Sequence, residues 1–125
     1  MKVQPLTPII GAEVSGLNLC RLTDHQFDGL NDAFTEHSVL FFRDQDAMAP
    51  ADQIAFAKRF GPLHTHPAAP TLDEQAEIFV IHAHKDSKIA NGNGWHTDVS
   101  CDEEPPLATM LQLHLLPRTG GDTLF

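Results

Sequence analysis

The longest uninterrupted apolar runs in this chain are four residues, as at 39–42 and 78–81, and Gly and Pro cut the remainder into short pieces. A membrane span needs roughly 20 consecutive apolar residues, so no membrane partner is expected. Runs this short suit brief strands and amphipathic helices around one modest core. With 125 residues the chain is one domain or part of one, and we read 1–125 as a single domain. Hydrophobic residues at 42% can supply that core. The 17 acidic against 8 basic residues give a net charge of -9, which argues against nucleic acid as a partner. The opening Met1-Lys2-Val3-Gln4-Pro5 lacks the apolar stretch of a secretory signal, so the expected location is cytoplasmic. Cys20 and Cys101 stand far apart without a C-x-x-C pattern and read as reduced packing residues.

Residues 9–16 read as a short strand between glycine turns. Thr23 and Gln26 form a T-x-x-Q capping box, and Phe27, Leu30 and Phe34 recur on one face, which predicts a helix to about His37. A buried strand is expected at 38–43. A second helix should start at Pro50, bury Ile54, Ala57 and Phe60, and stop at Gly61-Pro62. Residues 77–82 read as another strand, and a polar, glycine-rich loop then leads to Trp95-His96-Thr97-Asp98. A strand is expected at 108–114, a tight turn at Gly120-Gly121, and the start of a further strand at 122–125.

Side chains two apart on a strand share a face, so a strand would project His96 and Asp98 together, about 7 Å apart at Cα. One imidazole nitrogen and one carboxylate oxygen so placed can chelate a metal, as two thirds of a two-histidine, one-carboxylate facial triad. A bare H-x-D occurs widely by chance and also suits a local hydrogen-bonded pair. His64-x-His66 and His82-x-His84 share the spacing, and for His82 and His84 solvation or local hydrogen bonding is the stronger reading. His25, His37 and His114 stand alone.

The ordered set Gly94-Trp95-His96-Thr97-Asp98-Val99-Ser100, Pro105-Pro106 and Leu116-Pro117-Arg118-Thr119-Gly120-Gly121-Asp122-Thr123-Leu124-Phe125 resembles the taurine dioxygenase family of iron(II), 2-oxoglutarate-dependent oxygenases. Phe41-Phe42-Arg43-Asp44-Gln45 and Phe60-Gly61-Pro62-Leu63-His64-Thr65-His66-Pro67 are also similar to it. The resemblance implies an α+β, mainly β fold: the N-terminal portion of a double-stranded β-helix, or jelly roll, with flanking helices, incomplete in this chain. It implies Fe(II) held by His96 and Asp98, the 2-oxoglutarate cosubstrate bonded by the Thr123 hydroxyl, and His66 in the substrate pocket. O2 and a small, anionic organic molecule would be the reactants, with 2-oxoglutarate decarboxylated to succinate as a substrate C–H bond is hydroxylated.

Two departures bear on that expectation. The family's second histidine ligand and its 2-oxoglutarate-binding Arg fall beyond Phe125, so the 125 residues alone are expected to bind iron weakly, to be inactive, and to be marginal or self-associating. Homo-oligomerisation stays open. A non-catalytic scaffold chain and a metal-binding module built on the H-x-H pairs are the competing readings. Taurine-hydroxylating members carry a Tyr three residues after the position of His66 and an Asn four before the first ligand, where this chain has Ala69 and Gly92. A roomier, less polar pocket for a bulkier anion follows, such as a longer alkyl sulfonate, an alkyl sulfate or an aryloxy acid.

Overall fold

The computed structural model describes residues 1–66, 71–72, 75–88, 92 and 94–125. Its contacts gather into two compact units, Met1–Met48 with Gln112–Phe125, and Ala49–Leu111.

In the first unit, β1 (Lys2–Pro5) pairs antiparallel with β2 (Ala12–Ser15), and β2 pairs parallel with β3 (Leu40–Phe41). Parallel neighbours need a long crossover. It is supplied by a 3-10 turn at Leu19–Arg21 and by α1 (Asp24–His37). The helix starts where its sequence says it must: the Thr23 hydroxyl accepts from the Gln26 N–H at 3.2 Å, and the Gln26 side chain accepts from the Thr23 N–H at 3.0 Å. Its inward stripe is Leu30 and Ala33, both buried, flanked by half-buried Phe27 and Phe34. With Ala12, Val14, Leu17, Leu19 and Met48 they form this unit's core.

Two amide side chains close the unit over long loops. Gln45 donates to the Leu17 carbonyl at 3.2 Å and accepts from the Leu19 N–H at 3.3 Å. Gln112 accepts from the Met48 N–H at 2.9 Å and donates to the Met48 carbonyl at 3.1 Å. Arg43 pairs with Glu13 at 2.8 Å on the exposed sheet face.

In the second unit, α2 (Pro50–Ala57) begins with Pro at its first turn and packs against β5 (Gln75–Phe79), which pairs antiparallel with β4 (Thr71–Leu72). Phe56 is the buried residue of α2, and Phe60 lies edge-on to it at 5.5 Å. Ile54, Ala57 and Phe60, the anticipated core positions, are half-buried.

Several expectations change. The buried strand at 38–43 is a two-residue, half-buried strand, because β3 sits at the end of its sheet and, among the described residues, pairs only with β2. β1 was not anticipated: its four residues carry Gln4 and Pro5, and only pairing with β2 makes them a strand. Residues 108–114 and 122–125 form no ladder. Met110 and Gln112 still alternate half-buried with exposed Leu111 and Leu113, a strand pattern with no partner strand among the described residues. The β share is therefore smaller than the sequence suggests. Gly120 and Gly121 hold φ at 74° and 75°, but the chain only bends, at Arg118 and Thr119, and the expected tight turn between strands does not form. Cys20 and Cys101 are free and exposed rather than packed. No helix among the described residues is long and apolar enough to cross a membrane.

Candidate metal centre

His96 and Asp98 come together, but not on a strand. Residues 95–97 have no regular structure, and Asp98 opens a turn in which the Asp102 N–H donates to the Val99 carbonyl at 3.1 Å. Val99 holds φ at 51°, a conformation that costs a β-branched residue on the order of 1–3 kcal/mol. The turn, rather than the pleat of a strand, brings His96 Nε2 to 3.3 Å from Asp98 Oδ1.

Both groups are oriented from behind. His96 Nδ1 lies 2.7 Å from the Gly94 carbonyl oxygen, which can only accept, so Nδ1 carries the proton of that bond. In the neutral ring Nε2 then presents its lone pair. The second carboxylate oxygen, Asp98 Oδ2, accepts from the Thr109 hydroxyl at 2.7 Å. Donors on adjacent positions of an ion with bonds of about 2.1 Å stand about 3 Å apart, so the Nε2 to Oδ1 spacing fits a shared divalent metal. Both side chains are about half exposed, at 56% and 49%. Among the described residues no group of three or more His, Cys, Asp or Glu gathers, so the pair offers two donors.

Gly92 sits beside the pair with φ at 77°, and a Cβ there would meet the His96 ring at 3.6 Å. Ala69, the other residue of the pocket comparison, lies outside the described residues.

The same unit holds His66. Its ring stacks on Phe79 at 5.7 Å and 25°, and the His64 ring stands edge-on to it at 6.3 Å. His64 Nε2 is 3.3 Å from Asp102 Oδ2, a tie between the segment after α2 and the turn after Asp98. His82 and His84 lie 5.8 Å apart, but His84 Nδ1 accepts from the Asp86 N–H at 3.3 Å, which is the local hydrogen bonding expected for that pair. Thr123 is exposed and belongs to the first unit. The sequence reading missed Thr109 and Asp102. Neither lies at a motif spacing from its partner, and only the folded turn reveals them.

Comparison with known proteins agrees with the resemblance. Residues 2–125 match the taurine catabolism dioxygenase TauD, TfdA family. The chain belongs to that family, whose enzymes are Fe(II)- and 2-oxoglutarate-dependent dioxygenases. It is 38% identical to an alkylsulfatase of Acinetobacter baylyi, over 98% of this chain and 38% of that protein. It is 32% identical to an alpha-ketoglutarate-dependent sulfate ester dioxygenase of Pseudomonas putida, over 100% of this chain and 41% of that one. Its fold is similar to a crystal structure of a putative alpha-ketoglutarate-dependent taurine dioxygenase from Burkholderia xenovorans, with a TM-score of 0.69 and 31% identity, over 83% of this chain and 37% of that one. The chain spans about two fifths of the length of these relatives.

Proposed function

We propose that the protein carrying this chain is an Fe(II)- and 2-oxoglutarate-dependent dioxygenase acting on a small organic anion, and that the chain forms the N-terminal part of its double-stranded β-helix. The convergence of His96 Nε2 and Asp98 Oδ1 to 3.3 Å, in a member of a family of such enzymes, carries the reading. When bound, iron supplies the oxidative chemistry that couples decarboxylation of 2-oxoglutarate to hydroxylation of a substrate C–H bond.

This chain's residues bind and orient around that chemistry. His96 and Asp98 hold the metal, and the Gly94 carbonyl keeps the His96 proton on Nδ1. The Thr123 hydroxyl donates to a 2-oxoglutarate carboxylate. His66, held flat against Phe79, presents its ring to the anionic end of the substrate.

Gly92 leaves room along the His96 imidazole that any side chain would narrow. A sulfate ester or longer alkyl sulfonate suits that space better than taurine, and likeness to an alkylsulfatase and a sulfate ester dioxygenase supports the same class. The test is succinate release by the enzyme across taurine, longer alkyl sulfonates, alkyl sulfates and aryloxy acids. An alkyl sulfate or longer sulfonate should lead by kcat/KM; taurine emerging as the best substrate would overturn the substrate reading.

A further inference from the structure

We infer that Thr109 is a positioning residue for the metal-binding carboxylate, fixing which oxygen of Asp98 faces His96. The inference rests on His96 and Asp98 as ligands and adds a residue that neither the H-x-D spacing nor the other matched motifs include. A carboxylate can turn about its Cβ–Cγ bond and offer either oxygen, or both, to a cation. Here the two oxygens have different partners. Oδ2 accepts from the Thr109 hydroxyl at 2.7 Å, and Oδ1 stands 3.3 Å from His96 Nε2.

The direction of the hydrogen bond is settled by chemistry, since a hydroxyl facing an ionised carboxylate must donate. Thr109 therefore occupies Oδ2 and leaves Oδ1 to the metal, while the Gly94 carbonyl does the matching task on His96 by holding the proton on Nδ1. The two side chains are thus each oriented by a separate outer contact. Partners of this kind lower the cost of organising ligands before a metal arrives, and their removal typically weakens metal binding by about 10–100-fold. Thr109 is exposed and eleven residues from Asp98, so replacing it disturbs no core contact.

The experiment is a titration of the full metal-free enzyme with Co(II) alone, without 2-oxoglutarate or substrate, following the ligand-field bands. Thr109→Val keeps the shape and removes the hydroxyl, and should weaken Co(II) binding by about 10–100-fold. Thr109→Ser restores the hydroxyl and should bind within a few-fold of the parent. The thermal midpoint of each metal-free variant should match the parent, showing that the loss lies in the site. Parent-like Co(II) affinity in Thr109→Val, or a Thr109→Ser as weak as the valine variant, overturns the inference. Co(II) binding that survives His96→Ala would instead remove the ligand assignment on which it stands.

Discussion

His64 Nε2 stands 3.3 Å from Asp102 Oδ2, and this contact ties the segment carrying His66 to the turn that opens at Asp98. With side chains 28% and 44% exposed, the pair is close to a surface ion pair, worth about 0.2–1 kcal/mol when His64 is protonated. Asp102→Asn should therefore raise KM for the anionic substrate by up to about fivefold and leave KM for 2-oxoglutarate unchanged. Steady-state kinetics with each reactant varied in turn separates the two. Equal changes in both constants would mean that the pair shapes the whole site rather than the substrate side.

Val99 concentrates strain directly after a proposed ligand. Glycine adopts a positive φ without steric cost, so in Val99→Gly the relieved strain should offset the roughly 0.5–1 kcal/mol that a glycine ordinarily loses in chain entropy. Thermal unfolding of the metal-free protein should show a midpoint equal to the parent or above it. A clear fall would mean that Val99 packing outweighs the backbone term.

Gln112 satisfies both backbone groups of Met48, a residue only 5% exposed. Gln112→Ala leaves an N–H and a C=O without their partner, at about 1–3 kcal/mol for each group that stays dry. Gln112→Glu keeps the acceptor but turns a second oxygen toward the Met48 carbonyl, so it should not restore the loss. Urea unfolding measures both, and parent-like stability in either variant would show that water replaces the amide.

The resemblance implies that the Thr123 hydroxyl bonds 2-oxoglutarate. Thr123→Val should weaken 2-oxoglutarate binding by about 1.5–3 kcal/mol, the worth of a hydrogen bond to a charged group. Calorimetric titration of the metal-loaded enzyme checks this, and an unchanged affinity would remove Thr123 from the cosubstrate site.

How far the sequence speaks depends on how local the physics is. The start of α1 was legible because Thr23 and Gln26 cap each other across three residues and the Leu30 stripe repeats within the same helix. Residues 108–114 carry a strand's alternation, yet alternation states only readiness to pair. The residue types at His96 and Asp98 were legible from their spacing, whereas the device that brings them together was not. A positive φ at Val99 is invisible in a Val, and the Thr109 hydroxyl reaches Asp98 only after the chain has turned.

The central claim is that His96 is an iron ligand of a 2-oxoglutarate-dependent oxygenase, and succinate release by the enzyme carrying this sequence tests it most directly. With Fe(II), 2-oxoglutarate and an alkyl sulfate present, the parent should release succinate, His96→Ala should release none above background, and His82→Ala should keep most of the parent activity. Succinate release retained by His96→Ala, or lost equally in His82→Ala, would contradict it.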